Sequence, residues 1–350
     1  MPDKLMQENN NIPDHTVLLA RDISIGYQRG KKVIKEVHRG LSFNLRAGEL
    51  TCLLGPNGAG KSTLIRSLGA SQKLICGEIL LNGKPLSNYK EREISRHIGL
   101  VLTEKTAVGA LRVSELVALG RHPHTGFFGR LTTTDLQVID KSMEATGIIH
   151  KKEQYVAELS DGERQKAMIA KALAQESPII ILDEPTSFLD IISRIEIMNL
   201  LRKLARSHQK AILLSTHDLE QALASADRLW LLSKENGLTC GVPEDMIFNN
   251  AMDNLFQHQE ISFDKLSGSF RLPAESEIPV HVEATQELLF WTKNLLNRYG
   301  FRPAKYTEIS TFKIKVQSAQ AISVQITGEK EIHLSSFASV IPLLLMHYDS

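Results

Sequence analysis

The chain has 350 residues, of which 42% are hydrophobic and 23% are charged, a composition that fits a globular protein with room for two domains. Its formal net charge of +1 argues against a nucleic-acid-binding surface or a strongly basic membrane-binding patch. The three cysteines, at positions 52, 76 and 240, are far apart and lack the spacing of a metal site, which favours reduced thiols in the cytosol.

The first predicted elements are a strand at residues 20–27 and a strand, loop and helix at residues 50–69. In the second segment an apolar run leads into the phosphate-loop pattern Gly-x-x-x-x-Gly-Lys-Ser, and a helix pattern follows. Three glycines leave the backbone of this loop free to curl with its N–H groups facing inward: Gly55, Gly58 and Gly60. We expect Lys61 to reach the β- and γ-phosphates of a nucleotide and Ser62 to offer its hydroxyl to Mg²⁺.

A strand pattern at residues 98–102 is followed by a segment that contains His122 and His124. This His-x-His spacing without a third ligand is a weak metal signal, and we interpret both residues as exposed loop residues. Further on, residues 157–175 begin with a polar turn containing Ser160 and Gly162 and continue as a helix pattern. A helix start presents unpaired N–H groups, so this turn is a second candidate site for a phosphate.

Two acidic residues, Asp183 and Glu184, follow an apolar run at residues 179–182 that predicts a buried, parallel strand. Ligands of open α/β sheets bind at the carboxyl ends of such strands. We expect Asp183 to hold Mg²⁺ through water and Glu184 to activate or position the attacking water. The alternative is a helix N-cap with an acidic first turn. Another apolar run, residues 211–215, precedes His217, which could hydrogen-bond the γ-phosphate and the water.

The C-terminal part of the sequence predicts a separate domain. Residues 261–272 predict a hairpin that closes the first domain, and residues 273–279 predict a linker. Residues 280–350 then predict a small α+β domain with a strand, a helix that stops at Gly300, two alternating strands and a C-terminal helix or buried run. We expect Trp291 and the leucines around it to be core residues of this domain.

No apolar run approaches the roughly 18 residues that a membrane span needs; the longest candidates are residues 211–215 and 339–346. Residues 1–15 are polar and lack the hydrophobic region of a signal peptide. We therefore expect a cytosolic protein, which would need the membrane spans of other chains in order to act at a membrane.

In their order these motifs resemble those of the nucleotide-binding subunits of ABC transporters, over residues 17–272. The matching segments are GPNGAGKST at 55–63, LSDGE at 159–163, ILDEP at 181–185, SFLD at 187–190 and STHD at 215–218. The resemblance implies an α/β P-loop NTPase fold with a RecA-like core, an antiparallel β subdomain and a helical insert at about residues 104–160. It also implies an ATPase that uses ATP and Mg²⁺.

The resemblance assigns residues to the nucleotide. It implies that Tyr27 stacks on adenine, whereas a core or edge-strand tyrosine is the alternative. Catalysis is implied for Lys61, Glu184 and His217. The phosphate-loop residues that it implies bind ATP are Gly55, Pro56, Asn57, Gly58, Ala59, Gly60, Lys61, Ser62 and Thr63.

Two subunits of this family pack head to tail, which explains a second phosphate cradle. The signature turn would close on the γ-phosphate held by the partner's Lys61, and it consists of Ser160, Asp161, Gly162 and Glu163. In this chain Asp161 stands where the family usually has glycine, and Glu163 stands where it usually has glutamine. Asp190, in the D-loop, would contact the opposing subunit.

One departure from the family concerns the loop that senses Mg²⁺ and contacts the permease. The family usually places a glutamine after the 98–102 strand, whereas this chain has Thr103 and Glu104. Glu104 could reach Mg²⁺ directly, or Thr103 could act through water.

Residues 116–135 are similar to the corresponding segment of importers of ferric siderophores, haem and cobalamin. A zinc or manganese importer and a soluble non-transport ABC ATPase are the alternatives. The similarity implies a permease-docking surface near Arg121, His122, Pro123, His124, Phe127 and Phe128.

The resemblance finally implies partners and a location. The chain would work as a homodimer beneath two integral-membrane permease subunits, at the cytoplasmic face of the inner membrane. A periplasmic or surface substrate-binding protein would deliver the cargo, and no nucleic acid would take part. The role of the domain at residues 280–350 stays open among dimerisation, docking on the permease and sensing of a metabolite.

Overall fold

The structure is a computed structural model of the chain, and it describes residues 15–30, 32–102, 110–126, 128–255, 261–265, 267–271, 278–305 and 307–348. Contacts divide the chain into two compact units, of which the first ends with Phe263–Phe270 and the second continues from Arg271. Each unit has hydrophobic core residues of its own. Within the described ranges no helix combines the length and the apolar character that crossing a bilayer requires.

The first unit alternates strands and helices along most of its length. Its elements are β1 (Thr16–Arg29), β2 (Lys32–Arg46), β3 (Leu50–Leu54), α1 (Lys61–Leu68), β4 (Cys76–Leu81), β5 (Lys84–Pro85), α2 (Glu91–His97), β6 (Ile98–Val101), α3 (Val113–Ala118), α4 (Thr133–Ala145), α5 (Asp161–Ala174), β7 (Ile179–Leu182), α6 (Ile191–Ser207), β8 (Ala211–Ser215), α7 (Leu219–Ser225), β9 (Arg228–Ser233), β10 (Gly237–Gly241), α8 (Pro243–Phe248), β11 (Ser262–Asp264) and β12 (Ser269–Arg271). The strands and helices predicted around the phosphate loop, the two acidic residues and His217 are thus confirmed.

A six-stranded sheet with the order β10-β9-β3-β8-β7-β6 forms the centre of this unit. Strands β9, β3, β8, β7 and β6 are parallel, and β10 pairs with β9 in the antiparallel direction. Helices and the second sheet cover both faces, so β7 and β8 are fully buried and have continuous apolar sequences. The parallel arrangement brings the carboxyl ends of β3, β7 and β8 to one edge of the sheet.

A second, antiparallel sheet has the order β2-β1-β4-β5 and packs its apolar residues against the central sheet. Trp230, on β9, lies at this contact and is fully buried. Its ring centroid lies 4.5 Å from that of Phe43 on β2. The two sheets are therefore held together by a large aromatic contact.

Helices α3 and α4 form an insert with a core of its own. This core includes Ala167 and Ala170 of α5, whereas Ile169 and Leu173 of the same helix pack into the core of the central sheet. Helix α5 is therefore shared between the insert and the sheet.

The second unit contains β13 (Ile278–Ala284), α9 (Gln286–Asn297), β14 (Phe301–Pro303), β15 (Phe312–Ser318), β16 (Ala321–Ile326), β17 (Ile332–Leu334) and α10 (Val340–Tyr348). Its sheet has the order β14-β13-β15-β16-β17, in which β13 is parallel to both neighbours and the other pairs are antiparallel. The predicted helix and alternating strands are present, and β14 is an additional strand that the sequence did not predict.

The prediction that Trp291 lies in the core is wrong, because this residue is 60% exposed. The buried positions of α9 are Thr292, Leu295 and Leu296, so the inward face of the helix runs through Thr292 rather than its neighbour. The Thr292 hydroxyl is satisfied by donating to the Leu288 carbonyl at 2.7 Å. A small hydrogen-bonded residue thus takes the inner position, and the indole lies outside.

The two tryptophans offer a matched test of these cores. We expect Trp230→Ala to lower the free energy of unfolding by about 3–5 kcal/mol, because it leaves a large cavity, and Trp291→Ala to change it by no more than about 0.5 kcal/mol. Urea unfolding followed by circular dichroism measures both effects. Similar losses for the two variants would contradict the assignment.

Candidate active site

The predicted phosphate loop connects the end of β3 to the start of α1. Gly58 and Gly60 adopt φ angles of 74° and 99°, in the region that side-chain-bearing residues rarely occupy. A Cβ atom at Gly60 would lie 2.6 Å from the Val37 Cγ1 atom, and one at Gly55 would lie 2.4 Å from the Leu232 carbonyl oxygen. The loop therefore needs glycine for both its conformation and its close contacts.

Lys61 is the first residue of α1 and is only 6% exposed. Its ammonium donates hydrogen bonds to the carbonyls of Gly55 at 2.7 Å and Pro56 at 3.3 Å, so the loop curls around the charge. Burial lowers the pKa of the Lys61 ammonium, while the carboxylates of Glu184 and Asp183 oppose that shift. A cation is thus fixed in a loop whose backbone suits an anion.

The acidic residues meet the phosphate loop at the edge of the central sheet. Asp183 follows β7, is 9% exposed and accepts a hydrogen bond from the Ser215 hydroxyl at 2.6 Å. The same hydroxyl accepts a hydrogen bond from the backbone N–H of Glu184 at 2.9 Å. Ser215 therefore fixes both acidic residues, a contact that the sequence interpretation did not include although Ser215 ends the neighbouring strand.

Glu184 and His217 lie in direct contact. The His217 Nε2 atom lies 2.7 Å from the Glu184 Oε1 atom, and the Ser187 hydroxyl donates to the Glu184 Oε2 atom at 3.0 Å. Glu184 has a φ angle of 49°, an uncommon backbone conformation for this residue type. Both carboxylate oxygens are therefore oriented by neighbours from the ends of β7 and β8.

A cavity of about 600 Å³ lies at this edge, and its lining combines Glu184 with residues 57–63, whereas His217 lines another cavity. Tyr27 also lines the first of these cavities; its hydroxyl lies 3.3 Å from the Thr63 Oγ1 atom, and the residue is 46% exposed. The sequence interpretation missed two further cations of this lining, Lys35 and Lys234. Neither residue belongs to a motif, because Lys35 comes from β2 and Lys234 from the turn after β9.

The signature turn forms a separate feature, since Ser160 is not among the residues that line this cavity of the described chain. Ser160 is the N-cap of α5, and its hydroxyl accepts from the Glu163 N–H at 3.3 Å. In return the Ser160 N–H donates to the Glu163 carboxylate at 3.0 Å, which lowers the pKa of that carboxyl. Lys151 pairs with the same carboxylate at 3.3 Å.

Asp190 of the D-loop and Gly162 of the signature turn both contact Ser193, in the first turn of α6. Asp190 is the N-cap of α6 and accepts from the Ser193 N–H at 3.0 Å and from its hydroxyl at 2.8 Å. A Cβ atom at Gly162 would lie 2.9 Å from that Ser193 hydroxyl oxygen. The signature turn and the start of α6 are therefore in close contact.

The predicted docking residues do not share one environment. Arg121, predicted to lie near the docking surface, is 5% exposed and pairs with Asp135 at 2.8 Å. Pro123 is buried, whereas His122, as predicted, and Phe128 are exposed. The prediction that His124 is exposed is wrong, because it is half-buried with its Nε2 atom 2.9 Å from the Gln175 carbonyl oxygen. The predictions for Thr103, Glu104 and Phe127 lie outside the described residues.

A parallel sheet with a glycine loop, a lysine and paired carboxylates at its carboxyl edge defines a P-loop nucleotide-binding protein. The ABC transporter family matches residues 38–187, and the iron ABC transporter C-terminal domain matches residues 277–344.

Individual known proteins that resemble the chain are also ABC transporter proteins. An ABC transporter ATP-binding protein of Methanocaldococcus jannaschii is 40% identical over 73% of this chain and 87% of its own length. The ferric enterobactin transport ATP-binding protein FepC of Escherichia coli is 37% identical over 68% of this chain and 86% of its own. The solved structure of cbiO1 from Clostridium perfringens, part of the ABC transporter complex cbiONQ, is 25% identical with a TM-score of 0.60, over 70% of this chain and 96% of that one.

The chain belongs to the ATP-binding proteins of ABC transporters. It binds ATP and is an ATPase coupled to transport, and as such a subunit it works with membrane permease components. The predicted fold class is confirmed.

The loop geometry predicts that Gly60→Ala weakens ATP binding by at least about tenfold, because a Cβ atom would combine an unfavourable φ angle with a close contact to Val37. Gly126→Ala is the matched control, since a Cβ atom there meets nothing within 4 Å. Titration with a fluorescent ATP analogue measures both affinities. Equal affinities would contradict the geometric requirement.

Proposed function

We propose that the chain is the ATPase of an importer for a ferric siderophore, haem or cobalamin, and that it works by ATP-driven closure of a homodimer. The observation that carries the mechanism is the separation, within one chain, of the cavity around Lys61 from the signature serine, Ser160. A site that needs both residues can be completed by a second copy. Each copy would then be half of two sites.

The cavity provides the contacts that ATP requires. The phosphate-loop N–H groups and Lys61 would hold the β- and γ-phosphates, and Tyr27 at the rim would stack on the adenine. With Lys35 and Lys234 the lining is net positive, because its three lysines outnumber its two glutamates, Glu36 and Glu184. This charge favours a polyphosphate over a neutral ligand.

The site also suits a magnesium ion bound to the nucleotide. Ser62 is exposed at the start of α1 and offers a hydroxyl, and Asp183 offers a carboxylate that Ser215 orients. Oxygen ligands of this kind, few in number and supplemented by phosphates, are what Mg²⁺ prefers. When bound there, the ion would neutralise charge on the phosphates.

Glu184 is the proposed base or positioning group for the attacking water. Its carboxylate is held by Ser187 on one oxygen and by His217 on the other, so its orientation is fixed before the nucleotide binds. His217 would share the γ-phosphate contact. The water's proton would pass to Glu184 as the new O–P bond forms and ADP leaves.

The exposed surface near the D-loop supports the homodimer. Phe188, Ile191 and Ile192 are 84%, 73% and 71% exposed. Three large apolar residues this close together are unusual on a free surface and typical of an interaction site. A second copy would bury them when its signature turn approaches the cavity.

The cargo class is supported by the match of residues 277–344 to the iron ABC transporter C-terminal domain. FepC, a relative by sequence, is named for ferric enterobactin transport. In this proposal the chain lies at the cytoplasmic face of the membrane beneath two permease subunits, and a substrate-binding protein outside the cell delivers the cargo. The ATP-binding domain would span residues 17–272 and the small C-terminal domain residues 280–350.

The mechanism predicts opposite effects of two substitutions at the site. Glu184→Gln should lower ATP hydrolysis at least about 100-fold, because the base is lost, and should trap an ATP-bound dimer that size-exclusion chromatography detects. Lys61→Ala should abolish ATP binding or hydrolysis. Glu144→Gln, at an exposed position of α4, is the control and should behave like the parent. Hydrolysis by Glu184→Gln at the parental rate would remove Glu184 from its proposed role.

The cargo is tested by uptake in a strain that lacks this chain. We expect this strain to lose uptake of one of three labelled cargoes, which are a ferric siderophore, haem and cobalamin. The parent chain should restore it, and the Lys61→Ala variant should not. Normal uptake of all three with a loss of zinc or manganese uptake would instead favour a metal-ion importer.

A further inference from the structure

The turn that joins α5 to β7 is anchored from several directions, and we call residues 174–178 the junction turn. Glu176, with a φ angle of 55°, ends α5 in the left-handed conformation that commonly follows a helix. Lys210 donates to the Ser177 carbonyl at 2.6 Å. The Gln175 side chain donates to the Ile98 carbonyl at 3.0 Å. The turn is thereby fixed to β6 and β8, the neighbours of β7 in the sheet.

Arg121, from the insert, contacts the junction turn with its guanidinium group. One nitrogen, Nη1, donates to the Ala174 carbonyl at 2.7 Å and to the Glu176 carboxylate at 2.6 Å. The Nε atom donates to Asp135, the residue that completes the N-terminal capping box of α4. Hydrogen bonds from Thr132 and the ion pair with Arg121 lower the pKa of Asp135 to about 2, so this partner stays ionised.

The residues that follow Arg121 make further contacts, with the junction turn and with helix α2. The His124 Nε2 atom lies 2.9 Å from the Gln175 carbonyl oxygen of the junction turn. Arg92 and Arg96, on α2, donate to the Pro123 carbonyl at 3.1 Å. The insert is therefore attached to the sheet at the C-terminal end of α5, far from the signature turn.

Helix α5 connects this anchor to the signature turn. It has 14 residues, and Ser160 is its N-cap, so the anchor and the serine are separated by about 21 Å at 1.5 Å per residue. A tilt of about 5° at the anchored end would displace the other end by about 2 Å. Displacements of about 1 Å can reduce a rate by about 100-fold when reacting groups must be aligned.

We propose that Arg121 is a positioning residue that sets the angle between α5 and β7, and so the location of Ser160 relative to the sheet. The inference rests on the proposed role of Ser160 at a partner's ATP. Arginine suits this position because its planar group can reach a carbonyl and two carboxylates at fixed angles. Lysine would keep the positive charge but lacks the planar guanidinium group that reaches all three acceptors.

The first test measures distances within one chain. Cys76 is exposed, whereas burial raises the pKa of the other two thiols, that of Cys240 to about 12, so spin labelling at neutral pH is selective for Cys76. A second label at the exposed position of an Ala157→Cys variant lies three residues before Ser160. Pulsed electron paramagnetic resonance then reports the placement of the signature turn.

We expect one narrow distance distribution in the doubly labelled parent and a broader one, or one shifted by about 2 Å, after Arg121→Lys. Arg130→Lys is the matched control, because Arg130 also belongs to the insert but lies at an exposed position. The control should keep the parental distribution. An unchanged distribution after Arg121→Lys, even with lowered thermal stability, would reduce Arg121 to a structural role and overturn the inference.

The second test uses the Glu184→Gln background. Arg121→Lys should raise the ATP concentration for half-maximal dimer formation at least tenfold and leave ADP binding to the single chain unchanged, because ADP needs only the cavity around Lys61. Equal dimer formation with and without Arg121→Lys would contradict the inference. If Glu184→Gln itself forms no dimer with ATP, the homodimer proposal fails, and the distance measurement still decides the role of Arg121.

Discussion

A single buried hydroxyl links the two strands that carry the chemistry of this site. Ser215 Oγ accepts from the Glu184 N–H and donates to the Asp183 carboxylate, and it can do both only because β7 and β8 are parallel neighbours. The same pairing brings His217 against Glu184. With β3 on the other side of β8, the phosphate loop reaches the same edge. The order of three strands therefore places the lysine, the carboxylates and the histidine at one edge of the sheet, where Lys61 and Glu184 line one cavity and His217 lines another.

In the proposed mechanism the parallel sheet alone does not complete a catalytic site, because the second helix start, at Ser160, does not line the cavity around Lys61. Ser160 begins a helix that packs on the insert with one face and on the sheet with the other. The capping box pairs the N–H groups of Ser160 and Glu163 within the chain, and the serine is exposed at the surface. The phosphate loop is thus rigidly built into the sheet, while the signature turn is carried at the far end of a helix.

Local patterns made the phosphate loop, β7, β8 and the C-terminal helix and strands predictable from the sequence. Apolar runs and glycine spacing are properties of neighbouring residues. The errors concern contacts between distant residues. Arg121 was predicted only as a residue near the docking surface, yet it is buried, and its carboxylate partners lie 14 and 55 positions away in the sequence. Trp291 was expected inside, yet the face of α9 that points inward depends on the sheet that it covers.

The cations Lys35 and Lys234 were missed for the same reason. Each enters the cavity from a strand or turn whose own sequence carries no motif. Only the packing of the antiparallel sheet against the central sheet brings Lys35 near the phosphate loop. A family resemblance therefore identifies the groups that perform the chemistry, and the surrounding charge depends on the tertiary structure.

The turn around Arg121 faces two ways, which bears on the proposal that a permease docks on this surface. Arg121 and His124 point inward and hold the junction turn, whereas His122 and Phe128 are exposed. A force applied to the exposed residues would act first on the end of α5 and not on the phosphate loop. Because the loop is built into the sheet, nucleotide binding would be little affected, while Ser160 would move. In the proposed homodimer, docking of the permease would then control closure of the dimer and not the affinity of each chain for ATP.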